Sequence, residues 1–200
     1  MKTVITGEDV LAVPEGSEIA TSPGALITPW ARDLAATRRV RFVASPAAAA
    51  GRLVAIGADH GGFPLKEELK GLLLRLGYAF RDLGTFSAAA VDYPDIALGV
   101  ARAVRAGEAR FGILVDGAGI GSAMAANKVP GVRAALCVDA AAASNARQHN
   151  DANVLTLGAK FVDSARAAEI VAAFLSSECT EDRHKRRVDK IRAIEASYLK

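Results

Sequence analysis

The sequence has little of the residues that mark several large classes of protein. It contains two cysteines in 200 residues, Cys137 and Cys179, too few for a disulfide framework or a tetrathiolate zinc site. No apolar run approaches the roughly 20 residues that a helix needs to span a bilayer, and the amino terminus lacks the basic-then-apolar pattern of a secretory signal. We therefore expect a cytoplasmic protein with reduced thiols.

An excess of charge of one sign is also lacking. The 25 lysines and arginines nearly balance the 22 aspartates and glutamates, whereas binding to a nucleic-acid backbone requires a sustained positive field. Neither a nucleic acid nor a membrane is an expected partner, although a small anionic ligand is. With 51% hydrophobic and 24% charged residues, the composition is that of a globular protein with one full domain and a small appendage.

A stretch of small residues divides the chain. We predict a linker at 46–51, a small module over 1–45 and the main domain over 52–200. In the module, strands are predicted near 18–21 and 41–43. A helix is predicted to start at Thr28 and Pro29, an N-cap residue before a proline. A module of this size buries little surface by itself, so we expect it to dock on another surface.

The main domain alternates apolar, strand-like runs with segments of helical periodicity. The runs lie near 52–57, 78–82, 111–115, 134–138 and 154–157, and the helices near 64–76, 95–106, 121–128, 141–150 and 164–175. A basic helix is predicted last, near 181–196. This alternation predicts an α/β fold with a parallel sheet, helices on both faces and ligand-binding loops at the carboxyl ends of the strands. We expect the polar motifs to gather at that edge.

The first motif is a glycine-rich turn between a predicted strand and a helix, Gly-Ala-Asp-His-Gly-Gly at 57–62. Its glycines allow close approach of the backbone, and the helix start offers unpaired N–H groups to an anion. Glycine-rich turns between a strand and a helix also occur without any role in ligand binding. The adjacent Asp59 and His60 favour a binding site.

The second motif is Asp-Gly-Ala-Gly-Ile-Gly-Ser at 116–122. Gly117, Gly119 and Gly121 leave backbone N–H groups free to form a nest for phosphate or an enediolate oxyanion. The loop differs from the dinucleotide fingerprint, because the sixth residue from Gly117 is Ser122 rather than glycine. We expect no nicotinamide cofactor and no metal.

The third motif is Arg-Gln-His-Asn-Asp at 147–151, at a predicted helix end. The amide and carboxylate groups beside His149 can hold its ring in one tautomer, which suits acid–base chemistry near neutral pH. A histidine satisfied at the surface is the alternative. The chain has three histidines, and His60, His149 and His184 all lie in segments singled out on other grounds.

Taken in order, these motifs resemble the ribose-5-phosphate isomerase B family, which also contains the galactose-6-phosphate isomerase subunits. The resemblance runs from about Leu53 to Ala196 and rests on the segments 57–62, 92–95, 117–128, 147–151 and 183–187. It implies a Rossmann-like three-layer α/β/α sandwich that forms a dimer or a dimer of dimers, with each active site completed by the partner subunit. The implied activity is cofactor-free isomerisation of a sugar phosphate, ribose 5-phosphate to ribulose 5-phosphate, through a cis-enediolate.

The resemblance also implies roles for single residues. His149 would open a furanose by protonating the ring oxygen, Asp59 would hold substrate hydroxyls, and the loop from Gly117 to Gly121 would stabilise the enediolate oxygen. The further implied substrate contacts are Tyr93 and Asn150, and the implied phosphate contacts are His60, Arg183, Arg187 and Lys160. Lys160 stands where the family usually has an arginine. It would therefore contact the phosphate through a compact ammonium group instead of a planar guanidinium that can bind two oxygens.

At the position of the base, this sequence departs from the family. The usual pattern has a cysteine before the glycine loop or a glutamate after it, and here those positions hold Asp116 and Ser122. A carboxylate can remove a proton next to a carbonyl, so Asp116 is the candidate base. Two alternatives stay open: Asp116 recognises a hydroxyl of a different sugar phosphate, tetrose or hexose, or the chain is a non-catalytic binding or scaffold subunit.

The amino-terminal module lies outside this resemblance. Its segment 26–35, Leu-Ile-Thr-Pro-Trp-Ala-Arg-Asp-Leu-Ala, resembles a short motif at the front of some bacterial microcompartment enzymes. That would make residues 1–45 a site for an assembly partner within such a compartment. A cap on the core that is specific to this lineage is the alternative, and we favour it slightly.

Overall fold

The computed structural model describes residues 4–21, 25–44 and 52–199. The chain divides into two compact units, Met1–Arg52 and Leu53–Lys200. The predicted linker at 46–51 falls outside the described residues. Within the described ranges, no helix is long and apolar enough to cross a membrane.

The described residues of the first unit form two short parallel sheets and two helices. In chain order its elements are β1 (Val4–Ile5), α1 (Gly7–Leu11), β2 (Glu18–Thr21), β3 (Leu26–Ile27), α2 (Pro29–Thr37) and β4 (Arg41–Ala44). β1 pairs with β3, and β2 pairs with β4. The N-cap prediction is confirmed, because the Thr28 hydroxyl accepts a hydrogen bond from the Ala31 N–H at 3.2 Å.

The second unit is built around five parallel strands in the order β6-β5-β7-β9-β8. The strands are β5 (Leu53–Ala58), β6 (Ala79–Asp82), β7 (Phe111–Asp116), β8 (Ala134–Leu136) and β9 (Val154–Gly158). The helices are α3 (Phe63–Arg75), α4 (Tyr93–Arg105), α5 (Ile120–Ala126), α6 (Ala140–Asn150), α7 (Ser164–Ser176) and α8 (Asp182–Tyr198). The predicted α/β class with a parallel sheet is confirmed.

Helices cover both faces of this sheet. On one face, α3, α6 and α7 pack on a cluster that includes Ile113 and Phe174, and on the other, α4 and α5 pack on a cluster that includes Val100 and Leu114. The central strand β7 is buried along its whole length. A strand that is covered on both faces does not alternate apolar with polar residues, which explains the continuous apolar run in its sequence. The layers are those of a three-layer α/β/α sandwich.

Candidate active site

The carboxyl ends of three neighbouring strands bring together three of the predicted site residues. Asp59 follows β5, Asp116 ends β7, and Lys160 follows β9. The Asp59 N–H donates to the Val115 carbonyl at 3.2 Å, and the Lys160 N–H donates to the Gly117 carbonyl at 3.1 Å. The glycine loop therefore lies between Asp59 and Lys160, as the parallel topology predicts.

Within this loop, the carboxylate of Asp116 is buried and bound by the loop's own backbone. One oxygen, Oδ1, accepts hydrogen bonds from the N–H groups of Ala118 (2.8 Å) and Gly119, and Oδ2 accepts one from Ser122 at 3.0 Å. The nest that the sequence predicts for a substrate oxyanion thus holds a protein carboxylate. The first-turn N–H groups of Ile120 and Gly121 have no acceptor within α5, so they are the donors left for a ligand.

Two glycines at this edge allow close packing that no other residue would permit. A Cβ at Gly62 would lie 2.1 Å from the Val115 carbonyl oxygen, and one at Gly121 would lie 2.5 Å from the ring of Tyr93. Tyr93 begins α4 and is 40% exposed. The structure therefore places this predicted substrate contact directly against the glycine loop.

His60 reaches the loop that follows β6, where its Nδ1 accepts a hydrogen bond from the Val91 N–H at 3.4 Å. This loop is anchored by Lys66, which is fully buried and donates to both oxygens of Asp82 (2.7 and 2.6 Å) and to the Thr85 carbonyl at 2.7 Å. Burial raises the pKa of Asp82, but hydrogen bonds from Lys66 and the backbone outweigh it, so the pKa is lowered. Lys66 is not among the residues predicted from the sequence, where its only signal is that a lysine lies next to the leucines of α3.

A second cluster lies at the opposite edge of the sheet. Because α6 begins beyond β8 and ends just before β9, His149 and Asn150 lie at the amino ends of these parallel strands. Arg133, just before β8, confirms this position: its Nε donates to the carbonyl oxygens of Asn150 (3.1 Å) and Asp151 (2.9 Å). The expectation that every polar motif gathers at the carboxyl edge is wrong for this motif, since it closes a helix instead of following a strand.

The end of α6 is fixed by Arg147, a member of the same motif. Its buried guanidinium pairs with Asp151 at 2.8 Å and donates to the Ala152 carbonyl at 2.7 Å. The group also lies 4.8 Å from the ring centre of Phe111 and 5.7 Å from that of Phe174. Arg147 therefore anchors the helix turn that carries His149.

His149 packs against His184 of α8. The two rings are stacked, with centres 4.1 Å apart and planes 13° apart. They border a pocket of about 210 Å³ lined by Gln148, His149, Glu178, Thr180, Glu181 and His184. Arg183 and Arg187 lie in the first two turns of α8, as His184 does. The exposed Arg183 forms an ion pair with Glu181 at 2.6 Å. This cluster combines a candidate acid with positive charge suited to a phosphate.

His184 makes the stability of the fold depend on pH. It is 3% exposed; burial lowers its pKa, and the neighbouring His149, Arg183 and Arg187 lower it further, against an opposing effect of the Glu181 carboxylate. The unfolded chain therefore takes up this proton more readily than the folded one, so stability falls as the pH drops below the ordinary value of 6.5.

We expect the melting temperature of the wild type to fall more between pH 7.5 and 5.5 than that of His184→Phe, which retains an aromatic ring but cannot be protonated. Differential scanning calorimetry at both pH values measures the difference. Equal shifts in the two proteins would contradict this account of His184.

Cys137 takes no part in either cluster. It is 1% exposed, and burial raises its pKa to about 11, so it is a thiol at neutral pH and cannot replace the cysteine base that the family usually has. Across the ranges that the structure describes, no group of three or more histidine, cysteine or carboxylate side chains is placed to hold a metal ion.

Known proteins are similar to the second unit in both sequence and fold. The model of the Ribose/Galactose Isomerase family matches residues 54–191. Ribose-5-phosphate isomerase B of Escherichia coli is 44% identical over 142 residues, which cover 71% of this chain and 95% of that protein.

Solved structures agree. The enzyme of the same name from Clostridium thermocellum is 46% identical, with a TM-score of 0.72 over 73% of this chain and 99% of its own. Ribose-5-phosphate isomerase B from Mycoplasma genitalium, solved with bound ribulose 5-phosphate, is 42% identical, with a TM-score of 0.69 over 72% of this chain and 96% of its own. This chain belongs to the ribose/galactose isomerase family.

Proposed function

We propose that this protein is an aldose–ketose isomerase that interconverts ribose 5-phosphate and ribulose 5-phosphate. The observation that carries the proposal is the carboxylate of Asp116, which lies within the glycine loop at the carboxyl edge of the sheet. A base at this place can move a proton between C2 and C1 of an open-chain sugar, and the loop N–H groups can hold the enediolate oxygen. Neither step requires a cofactor.

Asp116 is the proposed base. Its carboxylate has about four acceptor sites, and three are taken by backbone N–H groups. The remaining site is the one that would receive the C2 proton, which then returns to C1. Asp59, Tyr93, Gly117, Gly119 and Gly121 complete this half of the proposed site, with His60 and Lys160 beside the phosphate.

The binding of Asp116 by its own loop also supports a second reading. A carboxylate held by three N–H groups can serve as a fixed acceptor for a substrate hydroxyl, which suits an isomerase for another sugar phosphate or a binding subunit without catalysis. Replacing Asp116 with asparagine distinguishes these two roles from that of a catalytic base.

The two clusters belong to one site only if two chains form it. His149, Asn150, Arg183 and Arg187 lie at the amino edge of the sheet, and the strands between them and the glycine loop span roughly 15–20 Å. A furanose phosphate cannot bridge that distance. We therefore propose a homodimer, alone or within a dimer of dimers, in which each chain supplies its amino-edge cluster to its partner's glycine loop.

An apolar groove on α8 supports this assembly. Its exposed side chains Ile191, Ile194, Tyr198 and Leu199 border a pocket of about 740 Å³ beside Val132. Exposed apolar surface of this kind is typical of interfaces.

For the first unit we propose a separate role. Val4, Leu11, Leu26 and Trp30 are all more than 40% exposed, and such a surface suits an assembly partner, with a bacterial microcompartment as one setting for a cytoplasmic enzyme. A cap on the isomerase core is the competing role.

The activity is tested by incubating the full-length protein with ribose 5-phosphate in deuterated water and following the products by NMR. We expect ribulose 5-phosphate to form, with deuterium at its C1 and, through the reverse reaction, at C2 of ribose 5-phosphate, because the base exchanges its proton with solvent while the enediolate is bound. Binding of the sugar without product or exchange would contradict the proposal and lead to a panel of tetrose and hexose phosphates.

A further inference from the structure

The imidazole of His149 is held from two directions. One turn earlier on α6, the Asn145 amide nitrogen Nδ2 lies 3.2 Å from His149 Nδ1. The ring of His184 covers one face of the imidazole. His149 Nε2 makes no hydrogen bond to any residue that the structure describes, so this nitrogen alone is left for a substrate.

The contact with Asn145 determines where the ring proton lies. An amide nitrogen carries two donors and no acceptor, so His149 Nδ1 must accept. A neutral imidazole with an accepting Nδ1 carries its proton on Nε2. The free nitrogen is therefore a proton donor.

The contact with His184 fixes the plane of the ring. His184 is 3% exposed, and neither of its ring nitrogens has a hydrogen-bond partner within the described parts of the chain. The nearest carboxylate oxygen, Glu181 Oε2, lies 3.7 Å from Nε2. A buried polar side chain without hydrogen bonds is costly and calls for an explanation. Its packing against His149 supplies one, because a flat neutral ring stacks on an imidazole without competing for the Nδ1 or Nε2 positions.

We propose that Asn145 and His184 are positioning residues that present His149 to the sugar as an Nε2–H donor. This inference rests on the proposed function, since it concerns the ring-opening step. As the bond between C1 and the ring oxygen breaks, its electron pair stays on that oxygen, which takes the Nε2 proton. The C1 hydroxyl loses its proton through water to Nε2 as the carbonyl forms, so the imidazole ends the step as it began.

The test compares two substrates that differ in the need for ring opening. Ribose 5-phosphate is a furanose, whereas ribulose 5-phosphate cannot close a five-membered ring because its O5 carries the phosphate. We expect Asn145→Ala to lower kcat for ribose 5-phosphate roughly 3- to 10-fold, the effect of one lost hydrogen bond. Exchange of the C1 protons of ribulose 5-phosphate in deuterated water should stay at the wild-type rate.

Two further variants separate positioning from general damage. His184→Ala should show the same selective loss, and His184→Phe should restore the rate because it keeps a ring stacked on His149. Ser144→Ala, one residue from Asn145 on α6, is the matched control and should behave as the wild type. Equal loss with both substrates, or no loss with either, would overturn the proposal.

A spectroscopic measurement tests the proposal independently of turnover. Two-bond ¹H–¹⁵N correlation spectra of histidine distinguish the two neutral tautomers, and we expect the Nε2–H pattern for His149 in the wild-type protein and a mixture in Asn145→Ala. An Nδ1–H pattern in the wild type would refute the inference. Were the wild type to show Nε2–H but no isomerisation, the proposed function would fail and the assignment of the tautomer would stand.

Discussion

Asp116→Asn should lower kcat for ribose 5-phosphate by about 10²- to 10⁴-fold, the usual contribution of a general base. The amide keeps the size of the carboxylate, and its oxygen can still accept from the N–H groups of Ala118 and Gly119, but it cannot take the C2 proton. Affinity for ribulose 5-phosphate should change only a few-fold, because the phosphate and hydroxyl contacts stay intact. Steady-state kinetics and isothermal titration calorimetry measure the two effects.

A control for this experiment is Asp163→Asn, which makes the same chemical change at another carboxylate that binds a backbone N–H. Asp163 caps α7 by accepting from the Arg166 N–H at 2.8 Å, and its replacement should leave kcat unchanged. A second variant, Asp116→Cys, places at this position the residue type that the family usually has and should be at least about tenfold more active than the asparagine variant. Wild-type turnover by Asp116→Asn would exclude Asp116 as the base and favour a hydroxyl contact.

The core of the second unit could be predicted from sequence because its signals are local. The strands β5, β7 and β9 are short apolar runs that are buried along nearly their whole length. The helix α3, by contrast, repeats its leucines at the helical period of about 3.6 residues. Parallel pairing then follows from the alternation. The same reasoning placed Asp59 and Asp116 at one edge, and the backbone hydrogen bond from Asp59 to Val115 agrees with it. Lys160 was predicted only from the family resemblance, and the structure adds it to this edge.

What could not be predicted depends on contacts between distant parts of the chain or on very short elements. β1 and β3 have two residues each, too few for any period to be visible. The Asp116 carboxylate turns back onto its own loop, and the sequence does not show the direction of a side chain. The packing of His184 on His149 joins residues that are 35 positions apart in the chain. The chemistry predicted for the motif at 147–151 stays a prediction, and the sequence did not show the edge of the sheet on which the motif lies.

If the sites are shared between subunits, two inactive variants should complement each other. Asp116→Asn removes the proposed base at the carboxyl edge, and His149→Ala removes the proposed acid at the amino edge, so each homodimer has two defective sites. In a mixed dimer one site receives both defects and the other receives neither. Co-expression in equal amounts should therefore restore about a quarter of the wild-type activity, since half of the dimers are mixed and one of their two sites is intact.

The comparison that matters is between co-expressed chains and the same two variants purified separately and mixed in the cold, where subunits stay with their original partners. Activity in the first sample and none in the second requires that residues from two chains act on one substrate. Activity in neither sample would contradict a site that is shared between two chains. Wild-type activity of the His149→Ala homodimer alone would separate the amino-edge cluster from isomerisation and make His149, Arg183 and Arg187 a second anion site.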